Sequence, residues 1–314
     1  MDTRVGLSVI LGTGPLGLAV ARQLSSRGQR FRVVSRTANA SLPGGAEFLT
    51  ANVADPAEAR RACAGAAVVY HCASPPYQLW PKLHPPLMAA IIEGASAAHA
   101  KLIFGDNLYA YGPVDGPITG DLPYRATGPN GRTRAQLATT LISAHEDGRV
   151  RAAIGRGSDF FGPHARQSLV ADGVFARALA GKPAQLLGNP DLPHSVTYID
   201  DFGRALVTLG EREDALGEVW HVPNAPAVPL RRFVEMVYAA MNRPPRIQVV
   251  PRPILSLLAL FNPVLRAVVE QLYQSDQPWI VDSSKFERAF GWKAIPLEGS
   301  IPPTAAWFRE HARL

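Results

Sequence analysis

One stretch near the N-terminus decides the fold: Ser8-Val9-Ile10-Leu11-Gly12-Thr13-Gly14-Pro15-Leu16-Gly17-Leu18-Ala19. It opens with a short apolar run typical of a buried strand and closes with the start of a helical pattern. Three glycines in the spacing Gly-x-Gly-x-x-Gly lie between the two, where the chain has to turn sharply. The stretch therefore predicts a strand, a tight turn and a helix, which is the opening unit of an α/β fold.

The same alternation continues through the first half of the chain. The predicted strands are Leu7–Leu11, Phe31–Ser35, Glu47–Leu49, Ala67–Cys72, Leu102–Gly105 and Val150–Ile154. The predicted helices between them are Leu16–Arg27, Pro56–Ala64, Leu87–Ala98 and Gly131–His145. This rhythm indicates a Rossmann-type, doubly wound parallel sheet covered by helices on both faces.

The second half of the chain is less regular and richer in proline turns. Its helical patterns lie near Ser168–Ala180, Asp201–Leu209 and Leu230–Met241. We therefore predict a smaller C-terminal substrate lobe beside the sheet. The predicted division assigns residues 1–165 to the sheet domain, with 196–226 returning to it, and residues 166–195 and 227–314 to the substrate lobe.

Composition excludes several classes of protein. Of the 314 residues, 47% are hydrophobic and 18% are charged, which is too apolar for a disordered chain. The 32 basic residues outnumber the 26 acidic ones but are scattered, so we expect no nucleic-acid partner. Cys63 and Cys72 are too few for a disulfide framework or a zinc site, and we expect a cytoplasmic protein without a metal.

The apolar segment Pro253–Val269 is the nearest approach to a membrane segment. Asn262, Pro263 and Arg266 interrupt it, and it is shorter than the roughly 20 apolar residues that a bilayer span needs. We expect no transmembrane span. The pattern favours a helix packed on the core, and a membrane-surface or lid helix is the alternative.

The glycine turn is suited to a dinucleotide. Gly12 permits unusual backbone angles, Gly14 lets a pyrophosphate approach without meeting a Cβ atom, and Gly17 allows close packing of helix against strand. The helix N-terminus offers unpaired N–H groups to the phosphates. We therefore predict that the cofactor contacts the whole turn, that is Gly12, Thr13, Gly14, Pro15, Leu16 and Gly17. A tight turn without a ligand is the alternative.

The end of the second strand indicates which cofactor binds. In this fold an acidic residue there binds the ribose hydroxyl of NAD, whereas an arginine pairs with the 2′-phosphate of NADP. The strand ends in Val34-Ser35-Arg36-Thr37 and offers no carboxylate. Ser35 and Arg36 therefore favour NADP(H) over NAD(H), unless Arg36 is only an exposed arginine.

Five further segments carry motifs of one known family. They are Asn52–Asp55, Val68–Ser74, Phe104–Gly112, Gly157–Pro163 and Ser195–Asp201. Together with the glycine turn, their order resembles that of the extended short-chain dehydrogenase/reductases, the group of NAD-dependent epimerase/dehydratases. The resemblance covers nearly the whole chain. Leu11 stands where the commonest extended form has its first glycine, which favours the atypical branches of the group.

The resemblance implies further site residues. Asn52, Val53, Ala73, Ser74, Gly157 and Ser158 correspond to cofactor contacts. Tyr109, Asp159 and His164 correspond to positions near the substrate. Family members often dimerise through two helices similar to those predicted at Leu87–Ala98 and Gly131–His145, so a homodimer is expected.

The catalytic residues of the family are replaced here. Its members use a tyrosine as the acid, with a lysine four residues later, and no Tyr-x-x-x-Lys occurs in this sequence. The resemblance puts Asn130 in place of the tyrosine, Arg134 in place of the lysine and Asn107 in place of a serine. Arg134 can reach the nicotinamide ribose, but a guanidinium does not release its proton near neutral pH.

Three interpretations of this replacement stay open. In the first, Tyr109 is a relocated acid, two residues from Asn107 in the loop after the fifth strand. In the second, Asn107 and Asn130 orient a carbonyl and water supplies the proton. In the third, the protein binds NADP(H) without turnover and is a sensor or scaffold. The first two predict an oxidoreductase or epimerase-like enzyme with a small-molecule substrate, which Trp80, Leu255–Phe261 and Trp279 suggest is apolar.

Overall fold

The computed structural model describes residues 6–38, 41–166 and 168–312. Residues 1–5 and 39–40 of the predicted sheet domain, and residues 167 and 313–314 of the predicted substrate lobe, lie outside the described part. The chain folds into two compact units. The first comprises Met1–Asp106, Pro129–Arg156 and Phe202–Trp220, and the second comprises Asn107–Gly128, Gly157–Asp201 and His221–Leu314.

The first six strands along the chain all belong to one sheet, and most of the later strands are shorter. The first six are β1 (Leu7–Leu11), β2 (Phe31–Ser35), β3 (Glu47–Thr50), β4 (Ala66–His71), β5 (Lys101–Asp106) and β6 (Arg151–Arg156). The remaining ones are β7 (Asp159–Phe161), β8 (Ala184–Leu187), β9 (Pro193–His194), β10 (Val196–Tyr198), β11 (Val219–His221), β12 (Val228–Pro229) and β13 (Ile247–Val250).

The helices of the first half lie between these strands. They are α1 (Pro15–Ser26), α2 (Pro56–Cys63), α3 (Trp80–Ala97) and α4 (Pro129–Glu146). The later ones are α5 (Arg177–Leu179), α6 (Ile199–Glu211), α7 (Leu230–Ala240), α8 (Arg252–Ala259), α9 (Pro263–Val269), α10 (Tyr273–Asp276), α11 (Ser284–Phe290) and α12 (Leu297–Glu310). A π-helix, Ala171–Ala176, precedes α5, and 3₁₀ turns lie at Tyr77–Leu79 and Tyr109–Tyr111.

Seven strands form the main sheet, in the order β11-β6-β5-β4-β1-β2-β3. In this order, every pair of neighbouring strands between β6 and β3 is parallel, that is β6–β5, β5–β4, β4–β1, β1–β2 and β2–β3. This is the strand order of the Rossmann fold, whose direction of winding reverses between β1 and β4. The predicted fold class is thus confirmed, and ligands of such sheets bind at the carboxyl ends of the strands beside that reversal.

One helix of the first unit is longer than predicted. The sequence pattern predicts a helix that starts at Leu87, yet α3 begins at Trp80 and contains Pro85 and Pro86. Proline is tolerated in the first turn of a helix, where its missing N–H has no partner to lose. The buried side chains of Trp80 and His84 pack inward along the added turns, and this tertiary packing outweighs the cost of the later prolines.

The loop 107–128 belongs to the second unit, whereas the sequence division put it in the sheet domain. Its Ile118 N–H donates to the carbonyl of Ile280 at 2.7 Å, and the Asp282 N–H donates to the carbonyl of Ile118 at 2.9 Å. Trp279 is fully buried in a core cluster with Tyr111 and Ile118. A local sequence pattern carries no signal for pairing between segments so far apart.

The segment Pro253–Val269 forms two short helices, α8 and α9, which pack against each other. The two helices are separated at Asn262, whose Oδ1 accepts from the backbone N–H groups of Val264 and Leu265 and so caps the N-terminus of α9. Only Leu255 and Ala259 of α8 are buried, and its other residues are exposed, which differs from the predicted helix packed on the core. Throughout the described ranges, no helix has the length and apolar character needed to cross a membrane.

Candidate cofactor and active site

The glycine turn joins β1 to α1 at the strand reversal. Gly12 has φ +107°, and a Cβ atom there would lie 2.8 Å from Ala73 Cα. A Cβ atom on Gly17 would lie only 2.0 Å from the carbonyl oxygen of Gly12. Both positions therefore need glycine so that the turn can pack against the chain that follows β4 and against α1.

Gly14 differs from the other two glycines. It has an ordinary extended backbone, φ −70° and ψ 178°, and a Cβ atom there would meet nothing within 4 Å. It is the N-cap of α1, which has neither a side-chain cap nor an acidic residue in its first turn. The N-terminus of α1 is consequently open and suited to an anion.

The end of β2 is hydrogen-bonded to the glycine turn. The Gly12 N–H donates to the carbonyl of Val34 at 2.8 Å, and the Thr13 hydroxyl donates to Ser35 Oγ at 3.2 Å. Arg36 follows directly and is exposed. The structure thus brings Thr13 and Ser35 together, one residue from an arginine that faces solvent.

The segments after β3 and β4 are held by local bonds. Asn52 is exposed and its Oδ1 accepts from the Ala54 N–H at 3.4 Å, while Val53 is buried. Ala73 lies against the glycine turn, as the Gly12 geometry shows, and Ser74 is exposed beyond it. These residues follow the carboxyl ends of strands on both sides of β1.

A buried cluster of charges lies at the ends of β5 and β6. Asp106 Oδ1 accepts from Arg134 Nη1 at 3.3 Å, and Asp106 Oδ2 accepts from Arg156 Nε at 3.0 Å. All three side chains are at least nine-tenths buried. One carboxylate thus serves two guanidinium groups, which leaves the cluster with a net positive charge.

Aromatic rings complete the surroundings of Arg134. Its guanidinium carbon lies 4.0 Å from the centre of the Trp80 ring and 5.8 Å from that of Phe104. A guanidinium over an aromatic face is attracted by the ring's quadrupole. Arg134 is therefore positioned from two sides, by a carboxylate and by an indole.

Two fully buried histidines lie near this arginine. The ring of His71 stacks on Phe104 at 4.8 Å, and His84 meets Trp80 edge-on at 5.2 Å. Burial, reinforced by the Arg134 charge, lowers the pKa of His71 to about 3. The same causes, with His71 as a further neighbour, lower the pKa of His84. Both rings are neutral at physiological pH, so neither adds to the positive charge.

Asn130 lies in the first turn of α4, one turn before Arg134. Its side chain is almost fully buried, and its Nδ2 donates to the carbonyl oxygen of Tyr77 at 3.4 Å. The Thr133 hydroxyl donates back to the carbonyl of Pro129 at 2.8 Å. These bonds fix the start of α4 and hence the direction of the residues that it carries.

In the second unit, Asn107 and Tyr109 share a tight turn. Asn107 Oδ1 accepts from the Tyr109 N–H at 3.1 Å, and both residues are half-buried. The Tyr111 hydroxyl lies 2.8 Å from His221 Nε2, whose Nδ1 lies 3.2 Å from the carbonyl oxygen of Asp282. Because a carbonyl only accepts, a neutral His221 donates from Nδ1, and its Nε2 accepts a hydrogen bond from the Tyr111 hydroxyl. Tyr111 is thereby fixed as a structural hydroxyl.

The remaining predicted residues of the second unit are held differently. Gly157 and Ser158 are buried, and the Ser158 N–H donates to the Thr197 hydroxyl at 2.8 Å. Asp159 Oδ2 lies 3.0 Å from Nε2 of the buried His194. The His164 ring packs against Trp307 of α12 at 4.9 Å. The structure therefore groups Asp159 with a histidine and His164 with the C-terminal helix.

A cavity of about 220 Å³ in the second unit contains none of the predicted cofactor or catalytic residues. Apolar side chains, Leu255 among them, and the Arg252–Asp276 ion pair line it. We do not assign the reaction to this cavity, because the sequence motifs lie elsewhere.

Comparisons with known proteins identify the group to which the chain belongs. A sequence model of the NAD dependent epimerase/dehydratase family matches residues 9–222, more than half of the chain. The chain belongs to this family. The extended short-chain dehydrogenase/reductase resemblance is thereby confirmed, as is membership of a nicotinamide-dependent oxidoreductase group.

Individual proteins and solved structures resemble the chain to different degrees. A 2′-dehydrokanamycin reductase of Streptomyces kanamyceticus is 25% identical over 292 residues, which are 89% of this chain and 74% of the relative. The UDP-glucose 4-epimerase of Thermus thermophilus, solved with NAD, has a TM-score of 0.78 and 19% identity, covering 97% and 99% of the two chains. The epimerase Mth375 of Methanothermobacter thermautotrophicus has a TM-score of 0.82 and 14% identity, covering 98% and 93%.

Sequence reasoning missed part of the site of this epimerase/dehydratase chain. Arg156 escaped notice because the predicted strand ended at Ile154, two residues too early. Asp106 lies one residue beyond the predicted strand Leu102–Gly105, and its two oxygens both accept from arginines. The signal that could have found the cluster is the pair of charged residues at the ends of two apolar strands, since charges are rare there unless paired.

Proposed function

We propose that the protein is an NADP(H)-dependent oxidoreductase that acts on a carbonyl or hydroxyl group of a small-molecule substrate. The preference for NADP(H) rests on the end of β2, where Ser35 receives the Thr13 hydrogen bond and Arg36 faces solvent. An arginine pairs with a 2′-phosphate in a charge-assisted hydrogen bond, and β2 ends without a carboxylate that would select NAD(H).

The first unit supplies the residues that would hold the dinucleotide. Gly14 leaves space that a Cβ atom would fill, and the uncapped N-terminus of α1 suits a pyrophosphate. Bound NADP(H) supplies or accepts the hydride. Arg134 keeps the positive charge of the family's lysine and would bind the nicotinamide ribose hydroxyls, while Asp106 and Trp80 fix its orientation.

The proposed acid is Tyr109. Tyr111 is less suited because its hydroxyl already donates to His221, and Arg134 cannot release a proton near neutral pH. Asn107 and Asn130 would act as neutral polar groups that orient the substrate carbonyl, with Asp159 and His164 as further substrate contacts. The cofactor would also contact Asn52, Val53, Ala73, Ser74, Gly157 and Ser158, as in the family pattern.

Reduction is the reaction class we favour. The relative in Streptomyces kanamyceticus is named 2′-dehydrokanamycin reductase, and the match covers 89% of this chain. We further propose a cytoplasmic homodimer, in which the helices that would pair are α3 and α4.

A second candidate function is cofactor binding without turnover. It is favoured by the replacement of the family's tyrosine with Asn130, whose buried amide donates to a backbone carbonyl. A sensor of this kind would bind NADP(H) as tightly as an enzyme does but would convert no substrate.

The test is calorimetric titration with NADPH and NADH. We expect NADPH to bind more tightly, and Arg36→Asp to weaken NADPH binding by about 10- to 100-fold, because a charge-assisted pair becomes a repulsion. Arg30→Asp is the matched control, since Arg30 is also exposed but precedes β2. Unchanged NADPH affinity in Arg36→Asp would refute the cofactor assignment.

A panel of ketones and aldehydes then separates the two functions. Loss of NADPH absorbance that slows in Tyr109→Phe would support the oxidoreductase with a relocated acid. Tight NADPH binding without turnover of any compound would favour the sensor.

A further inference from the structure

The helix α8 is apolar on two opposite faces. One face consists of Leu255 and Ala259, one turn apart, and both are buried. The other face consists of Ile254, Leu257 and Leu258, and Phe261, just beyond the helix end, extends their spacing to the i, i+3, i+4, i+7 pattern of a helical stripe. Leu257 is 61% exposed and Phe261 is 84% exposed. The second stripe therefore faces solvent, although its composition is that of a buried surface.

The stripe continues around the tip of the helix pair. Leu260, next to Phe261, is 64% exposed, and Val264 in the first turn of α9 is also exposed. We call α8, α9 and the connecting residues 260–262 the apolar hairpin. Isolated exposed apolar residues are common on soluble proteins, but a contiguous patch on one hairpin marks an interaction surface.

The charged residues within the hairpin, Arg252 and Arg266, are both arginines, and the acidic residues Glu270 and Asp276 follow α9. Between Glu235 and Glu270 the sequence holds four arginines and no acidic residue. Arg252 begins α8 and pairs with Asp276. Arg266 of α9 donates to the carbonyl of Ala259, the last residue of α8, and to that of Leu260, which puts a positive charge beside the most exposed apolar residues.

We propose that the apolar hairpin docks the protein onto the surface of an anionic phospholipid bilayer. An in-plane helix that carries an apolar stripe and basic residues binds membranes by inserting the stripe at the headgroup boundary while its cations attract anionic lipids. The absence of carboxylates between Glu235 and Glu270 favours this occupant over an ordinary protein partner, whose surface carries both signs of charge. The hairpin docks on one leaflet and does not span it.

The experiment is cosedimentation of the full chain with vesicles. One set contains phosphatidylcholine alone, and the other contains phosphatidylcholine with one third phosphatidylglycerol. We expect the protein to pellet with the anionic vesicles, and the double variant Leu257→Ser/Phe261→Ser to bind them at least about tenfold more weakly. Leu169→Ser is the control, because Leu169 is similarly exposed but lies outside the hairpin.

Three results of the cosedimentation would overturn the proposal. They are a chain that stays in the supernatant with anionic vesicles, equal binding to both vesicle types, and equal binding by the double variant. A wild-type dimer in sedimentation velocity that becomes a monomer in the double variant would also overturn it, since a second copy would then cover the stripe. Thermal melting verifies folding, and Phe261→Ser alone replaces the double variant if that variant loses its transition.

Discussion

Replacing Gly14 with alanine separates cofactor binding from folding. Gly14 has backbone angles open to any residue, and its Cβ atom would meet no protein atom within 4 Å. The change removes some freedom of the unfolded chain but gives a poorer N-cap for α1, and each effect is about 1 kcal/mol or less. We expect the free energy of unfolding of the free protein to change by less than about 1 kcal/mol.

The same methyl group costs affinity if a pyrophosphate lies against Gly14. Displacing the phosphates from the α1 N-terminus weakens hydrogen bonds to charged groups, and we expect the Kd for NADPH to rise at least about tenfold, or roughly 1.4 kcal/mol. Gly17→Ala behaves oppositely, because its Cβ atom would lie 2.0 Å from the Gly12 carbonyl oxygen. That clash forces α1 away from β1, and we expect a loss of roughly 3 kcal/mol in stability.

Urea denaturation without cofactor and calorimetric titration with NADPH measure the two quantities. Gly44→Ala is the control, since Gly44 is also exposed with an open Cβ position and lies in the loop before β3. If Gly14→Ala and Gly44→Ala bind NADPH equally well, the dinucleotide does not approach Gly14 and the assignment of the glycine turn is refuted.

Two further predictions concern the buried charges. Asp106→Asn removes the carboxylate that Arg134 and Arg156 share, and we expect the free energy of unfolding measured in urea to fall by about 3 kcal/mol. The control is Asp115→Asn, which should leave this free energy unchanged because Asp115 is exposed. Equal stability of both variants would contradict the role of the cluster. Folding lowers the pKa of His71 from 6.5 to about 3. Between these two pH values His71 is protonated in the unfolded chain and neutral in the folded protein. The contribution of this group to stability is fully present above about pH 6.5, and it falls by roughly 2 to 3 kcal/mol as the pH is lowered from about 6 to about 4. His71→Leu should reduce the pH slope of stability by about one proton, and an unchanged slope would show that His71 does not titrate this way.

Much of the first unit can be predicted from local patterns because each strand and helix carries its own signal. Five of the six predicted strands, Glu47–Leu49 among them, agree with β1–β6 within one residue at each end, and Val150–Ile154 misses two residues of β6. The glycine turn likewise lies between β1 and α1 as predicted.

What the sequence could not show depends on distant partners. Trp80 and Trp279 were both interpreted as lining for an apolar substrate. The structure instead packs Trp80 against Arg134 and buries Trp279 fully in a core cluster with Tyr111. Neither arrangement follows from spacing along the chain, because each contact joins residues that only tertiary folding brings together.

The first unit is assembled from three separated pieces of chain, and this affects how the protein can be made. Its last strand, β11, begins at Val219. A ribosome adding about 5–20 residues per second reaches that strand roughly 10–40 s after initiation. Until then β6 is an unpaired sheet edge, the kind of surface on which nascent chains aggregate. A gene cut near residue 165 encodes β6 without β11, so this edge would stay unpaired. Because each unit consists of three segments that are separated along the chain, neither unit can be expressed as one continuous fragment.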